Sequence, residues 1–296
     1  MEIRAYGKIN PALNVGHVRA DGYHEVCLMM QQVDLYDLLI LEKLPDPREG
    51  EMVRFSSSRD LGIPDEKNLV VKAARLMQER CGAGPVSVYL QKDLPAAAGM
   101  AGGSTDAAAV IRGMNEVFGL HLSLEQMMET AAILGSDVPY CLVGGTALCT
   151  GRGEKVRPLP DMPACSIMVF KPEFGVSTPW AYSRFRENMP DNPPADIQVM
   201  EQTLEQQNLE GLCSLMRNQL YPPVAEEYPV LEQIIRIMEA AGAIKAMMTG
   251  SGPAVFGIFR HKEEMDEALD PVEKALEEAD IRGTLYLTGS RSREQA

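Results

Sequence analysis

The 296-residue chain lacks any run near the roughly 18 apolar residues that a membrane helix requires. Nor does its opening, Met1 to Tyr6, carry the apolar h-region of a signal peptide, so a cytoplasmic location is expected. Positive charge is scarce: Lys and Arg number 28 against 42 Asp and Glu, a formal net charge of -14, with the acidic residues scattered along the chain. That balance argues against nucleic acid and anionic membrane surfaces as partners and favours a small molecule. The six cysteines form no C-x-x-C pair and sit mostly in apolar runs, so reduced core thiols are expected in place of disulfides or a zinc site. Internal repeats and low-complexity tracts are absent. So is the G-x-x-x-x-G-K-[ST] of a Walker A loop, and neither G-x-G, at 151–153 or 250–252, completes a Rossmann fingerprint.

What is present is 45% hydrophobic residues, enough for one large domain or two ordinary ones. Short alternating runs dominate the first part, and 2–6, 12–18, 26–33, 36–41, 52–55 and 86–91 read as strands. Between the last two, Leu69, Val70, Ala73, Leu76 and Met77 fall on one helical stripe, with Asn68 as cap and Gly82 as stop. Val110, Ile111, Met114, Val117 and Phe118 mark a second helix that Gly119 ends. Ser123 and Gln126 form a capping box that opens a third, ended by Gly135. Three prolines within 158–163 place a domain boundary near residue 157, dividing the chain into 1–157 and 158–296. The second half reads as strand 166–170, helices within 178–241, an exposed loop at 191–195, strands 244–248 and 254–260, helix 263–279 and strand 284–287. Strands and helices segregate more than they alternate, so an α+β fold is expected.

The stretch LPAAAGMAGGSTDAAAVIRGMNEVFGL, 94–120, runs a loop almost free of side chains into a helix. Where side chains are missing, successive backbone N–H groups can converge on an anion, and the helix N-terminus adds partial positive charge. Phosphate is the usual guest. Gly99, Gly102 and Gly103 supply conformational freedom, and Ser104 and Thr105 supply hydroxyls. Taken alone, the stretch reads equally well as a tight strand-to-helix turn built for dense packing.

The segment PAAAGMAGGSTDAAA resembles the P-x-x-x-G-L-[GA]-[GS]-[GS]-S-[SA] loop of the galactokinase, homoserine kinase, mevalonate kinase and phosphomevalonate kinase (GHMP) superfamily. AYGKINPALNVGHVRADGYHEV, LGSDVPYCLVGGTALCTGRGE and TGSGPAVFGIF are similar to further segments of the same superfamily, in the same order. Met100 stands where Leu is usual, and Thr105-Asp106 where Ser-Ser or Ser-Asn is common. The resemblance implies a two-domain α+β GHMP-kinase fold. Its N-terminal part would be a mixed sheet with helices, like domain 2 of ribosomal protein S5, and its C-terminal part ferredoxin-like, with the active site between them. ATP and Mg²⁺ are the implied cofactors. The run R-A-D-G-Y-H, 19–24, points to the branch whose acceptor is the 2-hydroxyl of 4-diphosphocytidyl-2-C-methyl-D-erythritol, on the route to isoprenoid precursors.

Site residues follow from the same resemblance. Asp137 would take or orient the acceptor proton, and Lys8 would hold that carboxylate ionised and stabilise transition-state charge. Pro95, Ala96, Ala97, Ala98, Gly99, Met100, Ala101, Gly102, Gly103, Ser104 and Thr105 would wrap the triphosphate, with Ser104 near the metal. Asn10 and His24 would contact the cytidine end, Tyr23 and Tyr182 would sandwich the cytosine, and Gly250, Ser251 and Gly252 would lie near the substrate phosphates. Met by themselves, these residues have plainer readings: Asp137 as a cap, Lys8 as a solvated charge, His24 as a structural histidine, Tyr182 as a half-buried helix residue and 250–252 as a β-turn. Another small-alcohol kinase of the superfamily, or a nucleotide-binding regulator without catalysis, are the alternative functions. The presence of both Lys8 and Asp137 argues against the silent binder, which needs neither.

Overall fold

Two long strands open the chain, β1 (Glu2–Val18) and β2 (His24–Lys43), in a computed structural model that describes residues 1–185 and 192–295. Each replaces a pair of shorter strands expected from the alternation. In β1 the alternation breaks because polar residues turn inward and find partners there, whereas in β2 it lapses only at exposed Asp34 and half-buried Leu35. The Lys8 ammonium donates to the Asn10 side-chain oxygen at 2.6 Å, with Lys8 4% and Asn10 1% exposed. In β2, Gln31 donates to the carbonyls of Gln32 and Arg291 at 2.7 and 2.8 Å and accepts from the Thr146 hydroxyl at 2.6 Å. Buried polar groups with partners do not interrupt a strand.

The chain divides into two units, one made of Met1–Gly7, Leu35–Leu94 and Ala101–Val143, the other of Lys8–Asp34, Pro95–Met100 and Gly144–Ala296. In the first, β3 (Val53–Ser57) runs parallel to β4 (Val86–Gln91), and β4 pairs antiparallel with residues 38–43 of β2. Helix α1 (Leu69–Cys81) lies between β3 and β4 in sequence and buries Val70, Val71, Ala73, Ala74 and Met77. Its start is set by Asn68, whose side-chain oxygen accepts from Val70 N–H at 2.9 Å, and its end by Gly82. Helix α2 (Gly102–Val117) packs on α1, and α3 (Leu124–Leu134) opens with both reciprocal bonds of the Ser123–Gln126 capping box. Helix α4 (Val138–Val143) is buried on every side, which leaves no amphipathic period for a sequence reading to detect. Beneath α2 the Lys92 ammonium lies 2.5 Å from Asp37 and 2.6 Å from Asp106. Burial holds the Asp106 carboxyl well above the usual carboxylate range, against the pull of Lys92.

In the second unit, residues 26–31 of β2 pair antiparallel with β5 (Thr146–Gly151), and β5 with β6 (Lys155–Pro158). Next come β7 (Ser166–Pro172), α5 (Thr178–Ser183), α6 (Ile197–Glu205), α7 (Leu209–Leu215) and β8 (Arg217–Asn218), which pairs parallel with Ala12 and Leu13 of β1. The chain finishes through α8 (Tyr221–Glu227), α9 (Val230–Ala240), β9 (Lys245–Met248), β10 (Val255–Phe259), α10 (Lys262–Glu278) and β11 (Gly283–Gly289). The order β11-β7-β10-β9, antiparallel throughout with α9 and α10 packed on it, is the ferredoxin-like arrangement. Of the loop expected at 191–195, Asp191 lies outside the described residues. Pro193 and Pro194 are exposed, but Ala195 is buried, because its N–H and C=O exchange bonds with the Asn14 side chain at 2.7 and 2.9 Å. All six cysteines are free, and burial pushes the Cys165 thiol up to about 11 and that of Cys213 to about 12. Among the described residues no helix is long and apolar enough to cross a membrane.

Replacing Asn68 by Ala removes the α1 cap and is expected to lower stability by about 1 kcal/mol, read as a shifted urea midpoint at unchanged slope. An unmoved midpoint would show that Val70 N–H finds another acceptor.

Candidate active site

The glycine-rich loop is bare because it meets another backbone. Gly99 sits at φ 74°, and a Cβ built on it would lie 2.2 Å from the Thr249 carbonyl oxygen. Gly250, at φ 57°, faces the same junction, where its Cβ would come within 2.9 Å of the Gly99 carbonyl. No side chain fits at either place. Around this contact the polar groups converge. The Lys8 ammonium donates to the Gly99 carbonyl at 2.6 Å, and Lys8 N–H donates to the Met100 carbonyl at 3.2 Å. Asn10 N–H donates to the Thr249 hydroxyl at 3.1 Å, which itself donates to the Gly99 carbonyl at 3.4 Å. The Ser251 and Thr178 hydroxyls share a bond of 2.8 Å, and the Asn218 amide clamps the turn by donating to the Met248 and Gly250 carbonyls at 2.9 and 2.8 Å. Met100 fills the core position where its family pattern has Leu.

Sequence reasoning thus anticipated Lys8, Asn10, Gly99, Gly250 and Ser251, and the structure brings them together in one unit. It missed Thr178, Thr249 and Asn218. Thr249 stands inside a segment already singled out and Thr178 four residues before Tyr182, whereas Asn218, on the two-residue strand β8, has no local signal.

The run 19–24 makes the turn between β1 and β2. Arg19 N–H donates to the Tyr23 carbonyl at 2.7 Å, Tyr23 N–H donates to Asp21 at 3.1 Å, and the Arg19 guanidinium binds Glu25 at 2.6 Å. That hydrogen bond holds the Glu25 carboxyl below its ordinary range. Arg19 and Asp21 therefore shape a turn that presents Tyr23, 55% exposed, with the Arg152 guanidinium 5.1 Å over its ring. His24 places Nδ1 2.9 Å from the Gly16 carbonyl, so Nδ1 carries the proton and Nε2 of the neutral ring is an acceptor. Its ring lies 5.6 Å from that of Tyr182 on α5 and 5.9 Å from that of Phe185.

In the first unit, Gly102, Gly103 and Ser104 form the opening turn of α2, where N–H groups have no acceptor within the helix. Thr105 is committed elsewhere: its N–H donates to the Ala101 carbonyl at 2.9 Å and its buried hydroxyl to the Tyr6 carbonyl at 2.8 Å. Asp137 is half-buried at the start of α4, its carbonyl accepting from Cys141 N–H at 3.2 Å. Pro95 and Ala98 are buried, while Ala96 and Ala97 are exposed. Gly252 packs against Met248, whose sulfur a Cβ there would meet at 2.5 Å.

The chain is similar to known proteins over nearly its whole length. The GHMP kinases N terminal domain matches residues 68–145 and the GHMP kinases C terminal domain residues 200–278. The chain is 42% identical over 290 residues to a 4-diphosphocytidyl-2-C-methyl-D-erythritol kinase of Caldicellulosiruptor bescii, covering 98% of this chain and all of the relative. It is 40% identical to the Bacillus licheniformis enzyme of that name, over 88% of this chain and 89% of the relative. A crystal structure of 4-(cytidine 5'-diphospho)-2C-methyl-D-erythritol kinase superposes with a TM-score of 0.81 at 29% identity, covering 98% and 99% of the two chains. A mevalonate kinase of L. major shares the fold, with a TM-score of 0.76 at 15% identity over 99% and 96%.

The backbone contact gives a direct test. Gly99→Ala is expected to cost about 3 kcal/mol or more in denaturant unfolding, from steric overlap and a left-handed φ together. Gly175→Ala, whose Cβ would meet Ala97 at an ordinary 3.5 Å, should stay within about 1 kcal/mol of wild type. Equal effects of the two would show that the Gly99 contact is not tight.

Proposed function

The chain belongs to the 4-diphosphocytidyl-2-C-methyl-D-erythritol kinases of the GHMP kinase family, and on that premise we propose that it transfers the γ-phosphoryl group of ATP to the 2-hydroxyl of 4-diphosphocytidyl-2-C-methyl-D-erythritol. ADP and the 2-phosphate are the products, on the way to isoprenoid precursors in the cytoplasm. The observation that carries this reading is the end-to-end likeness to relatives of that name.

Phosphoryl transfer passes through a loose transition state, so the protein's work is positioning and charge compensation. In this reading Asp137 orients the acceptor hydroxyl and receives its proton. Lys8 supplies compensating positive charge, held in place by the Gly99 carbonyl and the Asn10 oxygen. Residues 95–104 receive the triphosphate through backbone N–H groups and the α2 N-terminus, while Thr105 contributes through the fold alone. The free acceptor on His24 Nε2 matches an amino N–H of cytosine, and Tyr23 and Tyr182 offer aromatic faces to the ring. The 250–252 turn lies near the substrate phosphates. Among the described residues no group of three or more His, Cys, Asp and Glu converges on a metal position. The donor set therefore fits a Mg²⁺ carried in on nucleotide phosphates, with the Ser104 hydroxyl as protein partner. Such an ion would neutralise charge on the β- and γ-phosphates.

The test is ADP release with 4-diphosphocytidyl-2-C-methyl-D-erythritol, homoserine, mevalonate or no acceptor. Turnover is expected with the cytidine substrate alone, and turnover with another alcohol instead would overturn the substrate. Asp137→Asn should lower kcat roughly 10²- to 10⁴-fold where chemistry is rate-limiting; retention of half the wild-type rate would remove it from the proton path. Tyr23→Ala should raise the acceptor KM roughly 10-fold while the ATP KM holds. An unchanged acceptor KM would take Tyr23 out of the cytidine site.

A further inference from the structure

The buried cluster Asp37, Lys92, Asp106 touches both ends of the glycine-rich loop. At the entry, one Asp37 oxygen accepts from the N–H groups of Asp93 and Leu94, at 2.6 and 2.7 Å, immediately before Pro95. The other Asp37 oxygen binds Lys92. At the exit, Lys92 binds Asp106 on α2, and its ammonium would lie 3.2 Å from a Cβ on Gly102, the first residue of that helix. A single ammonium thus joins the residue run that enters the loop to the helix that leaves it.

Such a cluster is a poor choice for stability alone. Two carboxyls share one ammonium, the Lys92 side chain is 8% exposed, and the second oxygen of Asp106 has no hydrogen-bond partner. Apolar residues of similar volume usually serve stability as well or better than buried ion pairs. The loop, however, has little with which to hold its own shape: Ala97 and Ala101 lie at φ 49° and 59°, a conformation that costs an L-residue about 1 kcal/mol. Its geometry has to be imposed by its neighbours: Lys8 and Thr249 hold its middle, and the cluster holds its two ends.

We propose that Lys92 is a positioning residue for the nucleotide triphosphate, fixing the two ends of loop 95–101. This rests on the reading that the loop binds ATP. Lys92 acts through the loop backbone, and its loss affects the nucleotide in preference to the acceptor.

The experiment is calorimetric titration of Mg²⁺-ATP without acceptor, on wild type, Lys92→Met and Asp106→Asn, with the acceptor KM measured alongside. Lys92→Met is expected to weaken ATP binding roughly 10- to 100-fold, the scale of losing a charge-assisted partner, with the acceptor KM within about threefold of wild type. Asp106→Asn, nearly isosteric, keeps the fold should Lys92→Met not fold. It takes the charge from the exit tie alone and leaves a neutral oxygen that still accepts, so a loss of roughly 3- to 10-fold in ATP affinity is expected, with faster amide exchange across 95–104. A folded variant that binds ATP within twofold of wild type would overturn the proposal, as would equal losses for ATP and acceptor. Wild type that binds no ATP would overturn the kinase reading and this one together, whereas unaltered binding by the variants overturns this one alone.

Discussion

Two turns of bare backbone meet at Gly99 and Thr249, and the surrounding side chains are arranged by that meeting. Once the two main chains approach so closely, carbonyl oxygens crowd a space that only donors can share. Lys8, Asn10 and Thr249 supply them: the ammonium reaches the Gly99 carbonyl, and the Thr249 hydroxyl stands between Asn10 N–H and that same oxygen. Replace the glycine and the two backbones must part, which shifts the carbonyl that fixes the ammonium. The glycines are therefore as much a part of the Lys8 environment as its hydrogen-bond partners are.

The same economy places the polar residues on strands. Lys8 and Asn10 stand on β1, Gln31 and Asp37 on β2, all buried and all hydrogen-bonded. Groups held on a strand with their rotamers locked by neighbours are positioned more tightly than groups on loops. The glycine-rich loop has almost no side chains, and residues that hold it are found on β1, β2 and α2.

How much of this was legible depends on whether a feature's partners are close in sequence. Asn68, Gly82 and the Ser123–Gln126 box act within one turn of helix, and each was read correctly. The glycine loop and the 249–259 turn were recognisable as motifs, although nothing local shows that they touch across 150 residues. β1 was broken in two because Lys8 and Asn10 look like surface positions until their partners are known, and β2 at Asp34 and Leu35, where an exposed acidic residue interrupts the alternation. β5, β6 and α4 were not read as elements, α4 because full burial erases its period. Thr105 was counted as a phosphate contact on residue type, and its hydroxyl instead goes to Tyr6, 99 residues away.

The pairing of β2 with β5 has a consequence in time. Val26 opposes Gly151 and Gln31 opposes Thr146, so one half of this ladder leaves the ribosome more than a hundred residues before the other. At translation rates of about 5–20 residues per second the delay is on the order of ten seconds. During it the stretch Val26-Cys-Leu-Met-Met has a strand edge and an apolar face with no native neighbour. The nascent chain thus spends its most adhesive interval before the second glycine turn exists, and the burden of keeping it soluble falls on the acidic residues already synthesised and on whatever chaperones attend the ribosome.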